Sequence, residues 1–502
     1  MLSSKISSDL SQRAQTARCL IGQVSHSMCV FGKIFIRLIC INVANDDCDH
    51  GNPMMQFSQQ RLSGLFAARV PRYTSYPPAN HFNKKIDGGT QAKWLSKVRP
   101  GEPISLYLHI PFCKRLCWFC ACRTQGTKSL EPLQSYVDIL CRELDLIAEH
   151  LPKAPMLSRL NLGGGTPTIL PSDLMAKLLN KVFSIFETGS NFEFAVEIDP
   201  TDATESVLRT LADFGMNRAS IGVQDFEPEV QTAIGREQSY EQTNRVVELL
   251  KKFAIDRVNM DLVYGLPHQT MVSLQRTLSK VATLDPDRLA VYGYARVPWM
   301  SKRQIMIDET ALPDSQERFE LFHATRDFLI DQGFLSVGID HFSKPHDGLA
   351  QAVQKGSLRR NFQGYTDDVS RVLIGAGASS ISQFPQGYVQ NHSATSTYIS
   401  SIEQSNLAGA RGHALSDKDM LISRMIENLM CKFALNAAEI SKDFPERGSD
   451  IKTVMNRLSQ YFPDACSYKN GQLEIHPSER FMTRVIAHQL DTYPTGAGSH
   501  AI

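Results

Sequence analysis

A partial, open (β/α)6 barrel followed by a mostly helical domain is the fold this sequence predicts, and two patterns predict it. Between about residues 105 and 300, short β-branched runs alternate with stretches of helical periodicity, the signature of βα units. Polar and glycine-rich clusters then fall just after those runs, at the strand ends where such barrels carry their chemistry. A chain of 502 residues has room for a large α/β barrel with smaller appendages.

In chain order, residues 1–53 read as an extension outside the fold. The first 45 carry Lys5, Arg13, Arg18, Lys33 and Arg37 against the single acid Asp9, a bias that resembles a transit peptide. An over-extended reading frame with its true start at Met54 or Met55 explains it better, because recognisable motifs begin only near residue 70. The apolar run 28–43 is interrupted by Lys33 and Arg37 and falls short of the roughly 20 residues a membrane span needs. After residues 54–104 come six expected strands: Ser105–Ile110, Arg159–Leu162, Phe192–Ile198, Arg218–Gly222, Arg257–Val263 and Arg288–Tyr294. Between them lie helices, such as 134–148 with Val137, Leu140, Cys141, Leu144 and Ile147 on one face. Right-handed crossovers then bury both faces of a parallel sheet.

Residues 301–410 read as a barrel-completing, connecting region of helix, loops and a glycine-rich stretch at Gly375–Gly377. From 411 to 493 the pattern becomes mostly helical and winged-helix-like. Ser416 caps a helix carrying Ile422, Met425, Ile426 and Leu429, and a hairpin turns at Asn470–Gly471 before a final helix. This unit holds 11 Lys/Arg and 11 Asp/Glu and the whole chain has net charge +1, so there is no basic footprint for nucleic acid. It is expected to be a structural or substrate-covering lid, and 494–502 a tail.

Four of the 11 cysteines crowd into residues 113–122, which points to a metal site in a reducing, cytoplasmic compartment and not to a disulfide framework. Their segment is Leu106–Tyr107–Leu108–His109–Ile110–Pro111–Phe112–Cys113, followed by Cys117, Cys120 and Cys122. Structural zinc sites pair two C-x2-C knuckles, and no second knuckle exists here. The C-x3-C-x2-C spacing of Cys113, Cys117 and Cys120 instead supplies three thiolates to a 4Fe–4S cube and leaves one iron open to a ligand. Gly163–Gly164–Gly165–Thr166–Pro167 follows the second strand, where missing Cβ atoms let backbone approach a ligand. Glu197 ends the third strand, where a carboxylate can bind ribose hydroxyls.

The cysteine spacing is the signature of radical S-adenosylmethionine (SAM) enzymes, and the fold they imply is a TIM-like radical SAM barrel. Several further blocks resemble the oxygen-independent coproporphyrinogen III oxidases: Pro71–Pro77, the extra Cys122, Ser220–Phe226, Gly235–Gln238, Asp261–Pro267, Tyr294–Ala295 and Arg360–Thr366. The resemblance implies that Cys113, Cys117 and Cys120 ligate the cluster and that Tyr107, Gly164, Glu197 and Ile381 contact the SAM bound to it. It implies a second SAM site drawing on Phe119, Gly165, Thr166, Gln224, Arg236, Asp261 and Ala295. The implied reaction converts two propionates of coproporphyrinogen III to vinyls in a monomeric enzyme fed by a low-potential electron donor. A substrate with four carboxylates asks for arginines, with Arg72, Arg115, Arg123, Arg296 and Arg360 as candidates. His109 is a candidate for moving protons or electrons, and Cys122 for an unspecified catalytic or structural role. Residues 366–371 depart from the usual continuation in parts of this family. A related haem chaperone is the rival reading, disfavoured because such carriers usually lack Cys122 and the 71–77 segment.

Overall fold

The computed structural model describes residues 70–494. The expectations for residues 1–53, for 54–69 and for the last residues of the tail therefore lie outside the described residues. The six expected strands all form, the first five a little longer than their β-branched runs and the sixth one residue shorter: β1 (Ile104–Ile110), β2 (Met156–Gly164), β3 (Glu187–Ile198), β4 (Arg218–Gln224), β5 (Arg257–Tyr264) and β6 (Arg288–Gly293). They pair in parallel in chain order. Leu106, Leu108 and Ile110 of β1 are fully buried, as are Leu160 of β2 and Phe194 of β3, because helices cover one face and the interior the other.

Those helices form where periodicity and caps agree. The 20-residue α1 (Glu131–His150) buries Leu133, Tyr136, Val137, Leu140, Leu144 and Ile147 along one stripe. Helix α2 (Tyr240–Lys252) starts on Ser239, whose side chain accepts from Gln242 N while Gln242 reciprocates, and α3 (Met271–Leu284) starts on Thr270 in the same way.

The 301–410 region contributes more sheet than its sequence suggests. After β6 come β7 (Leu335–Val337), β8 (His341–Ser343), a separate ribbon of β9 (Arg359–Asn361) and β10 (Gly364–Thr366), then β11 (Val372–Ala376), β12 (Ile381–Phe384), β13 (Gly387–Asn391) and β14 (Gly409–Ala414). The main sheet is mixed, with order β14-β13-β12-β11-β1-β2-β3-β4-β5-β6-β8-β7. β11 lies parallel to β1, so the parallel set has a seventh member, and the strands at both edges are antiparallel. An open sheet with chemistry at one end is consistent with a partial barrel.

Beyond it, α4 (Asp417–Lys432) is capped by Ser416, whose hydroxyl and Asp419 form a capping box. Strand β15 (Ala434–Asn436), α5 (Ala437–Asp443), α6 (Gly448–Tyr461), the hairpin β16 (Cys466–Lys469)–β17 (Gln472–Ile475) and α7 (Thr483–His488) complete this region. Asn470 and Gly471 take the positive φ that the two-residue turn requires. β15 joins the hairpin as a third strand. Its hydrophobic core also includes Tyr73 and Tyr76, from the opposite end of the described chain.

Candidate active site

The C-terminal ends of β1 to β5 open on one cleft of about 1060 Å³ including its mouth. Cys113, Cys117, Cys120 and Cys122 line it together with Phe119, Gly164, Gly165, Thr166, Glu197, Gln224, Arg236 and Asp261, so the structure brings most of the sequence-predicted residues to one place.

The cysteine loop leaves β1 through Phe112, whose carbonyl accepts from Thr166 N at 2.8 Å, while Ile110 O accepts from Gly165 N at 2.8 Å. A Cβ on Gly165 would stand 2.5 Å from Phe112 O, so only glycine lets the two loops meet here. The far side of the loop is clamped by residues the sequence did not single out. Gln304 donates to Phe119 O at 2.7 Å, Ser301 to Cys120 O at 2.8 Å and Arg303 to Cys122 O at 3.1 Å. They carry no motif in the sequence; in the fold Ser301 and Gln304 are buried polar residues, Gln304 completely.

Arg236 is buried among three acceptors. Its Nη1 stands 3.5 Å from Cys117 Sγ and 3.0 Å from Asp199, and its Nη2 donates to Gly222 O at 2.9 Å. It thus places a cation on the thiol loop. The hydrogen bond from Cys122, helped by Arg303 and Arg236, holds Cys120 toward its thiolate against its burial. Among the described residues no three Cys, His, Asp or Glu side chains are grouped as a single-ion site. A four-iron cube asks for one thiolate at each of three irons, so three cysteines spaced around one cleft fit a cluster.

Beside the thiols, Glu197 accepts from Gly164 N at 3.0 Å, and a Cβ on Gly163 would stand 2.5 Å from Glu197 Oε1. Glu197 faces the open cleft, but the cleft is deep in protein. Burial, with Asp261 and Cys120 nearby and only the Gly164 bond opposing, lifts its carboxyl to about 7. Asp261 accepts from Asn259 at 2.9 Å and from Ser220 at 3.2 Å. Gln224 has a positive φ of 67° at a register shift between β4 and β5, which re-aims its side chain into the cleft.

Most of the other candidates sit outside the cleft lining. Tyr107 donates to or accepts from His109 Nδ1 at 3.1 Å, and His109 Nε2 stands 3.3 Å from Arg123 O. The His109 ring fills the space that a Cβ on Gly164 would take, both its nitrogens are engaged, and burial lowers it to about 4, which favours the neutral ring. Ile381 packs its backbone against Gly375, the partner of Tyr107 in the sheet, and Ala295 O accepts from Gln304 at 3.1 Å. Of the arginine candidates, Arg115 lines the cleft and donates to Glu237 O at 2.6 Å, whereas Arg296 pairs with Glu309. Arg360 donates to the carbonyls of Tyr73 and Arg72 at 3.3 and 3.2 Å, and Arg72 itself is exposed.

No helix among the described residues is long and apolar enough to cross a membrane. The radical SAM superfamily model matches residues 107–281, which span the cysteine loop, the glycine cradle and β1 to β5. The chain is 47% identical over 448 residues to the oxygen-independent coproporphyrinogen III oxidase of Paracoccus denitrificans, covering 89% of this chain and 99% of that one. It is 35% identical over 451 residues to the enzyme of the same name from Helicobacter pylori, covering 89% and 97%. Its fold matches the solved coproporphyrinogen III oxidase (HemN) of Escherichia coli, a radical SAM enzyme, with TM-score 0.80 and 33% identity over 85% of this chain and all of that one. Radical SAM chemistry implies a 4Fe–4S cluster and SAM, and the thiols, cradle and carboxylates of this cleft fit both. This chain belongs to the family of oxygen-independent coproporphyrinogen III oxidases within the radical SAM superfamily.

Proposed function

We propose that this chain is an anaerobic coproporphyrinogen III oxidase of haem biosynthesis, converting two propionates of its substrate to vinyls and yielding protoporphyrinogen IX. The observation that carries this reading is the convergence of Cys113, Cys117, Cys120, the 163–165 glycines and Glu197 on one cleft in a chain of this family. Cys113, Cys117 and Cys120 would hold the cluster, which together with bound SAM would supply radical hydrogen abstraction at the propionate β-carbon.

The chain's own residues bind and orient. Gly164 and Glu197 receive the cofactor's amino-acid and ribose portions, and Tyr107 and Ile381 back them on β1 and β12. A second SAM molecule draws on Phe119, Gly165, Thr166, Gln224, Arg236, Asp261 and Ala295; the first six of these line the cleft, which supports that reading. Arg236 keeps positive charge beside Cys117, and the clamp from Ser301, Arg303 and Gln304 keeps the thiol loop in register with the glycine cradle. Cys122 sits beside Cys120 without entering the ligand set. The monomer works in the cytoplasm with an external low-potential electron donor. The haem-chaperone alternative is not favoured, because the relatives named as oxidases match nearly end to end.

An anaerobic assay of reconstituted protein with SAM, a low-potential reductant and coproporphyrinogen III tests this, following CO2 and the vinyl product by mass. Product in the wild type and none in Cys117→Ser is the expected result. Wild-type protein that binds haem and cleaves SAM without decarboxylation would overturn it.

A further inference from the structure

Resting on the oxidase reading, we propose that Arg72 and Arg484 form a carboxylate clamp for the two substrate propionates that are not converted, and that Arg360 is the residue that positions it. The two arginines come from opposite ends of the described chain and are brought together by a buried seam. Tyr73, the neighbour of Arg72, is 5% exposed and its hydroxyl meets His488 Nδ1 at 2.9 Å and Asp491 at 3.0 Å. Arg484 lies one turn before His488 on α7. Arg360 stacks over the Tyr365 ring at 4.4 Å and donates to the carbonyls of both Arg72 and Tyr73, so it fixes the backbone from which Arg72 projects.

Neither Arg72 nor Arg484 makes an ion pair with a described carboxylate. Asp340, the acid facing Arg360 and Arg484, is itself engaged with His341 Nδ1 at 2.6 Å. Burial, and after it the nearby charge of Arg72, brings the Arg484 guanidinium down to about 10. Two like charges within electrostatic reach of each other, with one shared acid already engaged elsewhere, are unfavourable until an anion joins them. A pair of carboxylates on adjacent pyrrole rings is such an anion, and guanidinium forks match carboxylates geometrically.

Position selects which propionates these are. Tyr292 lines the cysteine cleft on the side of Asp261, and its hydroxyl reaches toward His341 Nε2 at 3.5 Å, the histidine that holds Asp340. The clamp therefore lies across Tyr292 from the thiols. Carboxylates gripped there are kept from the radical, while the opposite edge of the macrocycle faces it.

Binding of free-base porphyrins to the full chain, followed by fluorescence, tests this without turnover. Coproporphyrin III carries all four propionates, protoporphyrin IX only the two retained ones, and octaethylporphyrin none. Arg72→Ala and Arg484→Ala should each weaken coproporphyrin III and protoporphyrin IX by the same factor, roughly tenfold for a lost charge-assisted hydrogen bond, with octaethylporphyrin unmoved. Arg484→Lys should recover part of the loss, and Arg360→Gln should reproduce it. A loss for coproporphyrin III alone would reassign the arginines to the reacting propionates, and an equal loss for octaethylporphyrin would make them structural; either result overturns the clamp, as does unchanged affinity. Wild-type protein that binds no carboxylated porphyrin would instead strike at the oxidase reading itself.

Discussion

Strand β3 carries Glu193 near one end of the parallel sheet and Glu197 near the other, four residues along the same strand, and the surroundings treat them oppositely. Glu193 is buried against Arg218 at 2.9 Å, Arg257 at 3.5 Å and Arg159 at 3.8 Å. Asp347 closes the same network, at 3.2 Å from Arg218 and 2.5 Å from Arg288. Burial alone would raise the Glu193 carboxyl, but Arg218, Arg288 and Arg159 outweigh it and hold it at about 2. Glu197 has a single backbone N–H for a partner and the acid Asp261 for company, and it sits at about 7. At one end of the strand Glu193 is matched within the chain; at the other Glu197 is left for a ligand to match. This is the division between stability and chemistry expected of barrel ends.

The largest effect should come from breaking the matched end. Glu193→Gln leaves Arg218 buried beside a neutral amide and should cost about 3–5 kcal/mol in urea unfolding at neutral pH. Because the folded Glu193 carboxyl lies below its unfolded value, its contribution is present above the ordinary carboxylate range and is lost as pH falls toward about 2. The gap between wild type and variant should therefore narrow as the solution is acidified. A loss below about 1 kcal/mol at neutral pH, the value of an exposed pair, would mean the network is not a closed one.

A smaller effect on stability, but a larger one on cofactor binding, is expected of Gly164→Ala. This glycine has φ of 110°, and a Cβ would stand 2.4 Å from the His109 ring. Strain of about 1–3 kcal/mol follows, and relief of it moves His109 from Tyr107 or the Gly164 N–H from Glu197. Gly215 is the control: its φ is also positive, at 85°, but nothing lies within 4 Å of its Cβ position. Gly215→Ala should lower the melting temperature and leave SAM affinity alone. If calorimetry finds the two alanine variants equal in SAM affinity, the glycine cradle is only a turn.

The same contrast explains what was legible in the sequence. The cysteine loop, the glycine triplet and the six parallel strands could be read because their signal is local: a spacing, a missing Cβ, a run of β-branched residues. The strands β7, β8 and β11 to β14 could not, because they fall outside the strand-then-helix alternation that marked the first six. Arg360 was legible as an arginine in a family block but not as a prop for Tyr73, a contact across 287 positions. Tyr73 and Tyr76 gave no hint that they complete the core of the C-terminal helices. His109 drew notice as a titratable group on a motif strand, and only the structure shows both its nitrogens engaged.

The smallest effect, and the one of opposite sign, belongs to the unmatched end. Glu197→Gln keeps an oxygen that can accept from Gly164 N and removes a charge that its surroundings disfavour. Because the folded carboxyl at about 7 lies above its unfolded value, the wild type is most stable when Glu197 is protonated. It loses that stability as pH rises from the ordinary carboxylate range through about 7. The glutamine variant has no such loss. Its melting temperature should match the wild type in acid, rise above it across that window and hold a constant advantage at higher pH, while its SAM affinity falls. Exposure of the carboxylate to the cleft keeps the gain small. A variant less stable than wild type above neutral pH would show that the apoprotein depends on this carboxylate, and the contrast between the two glutamates of β3 would fail.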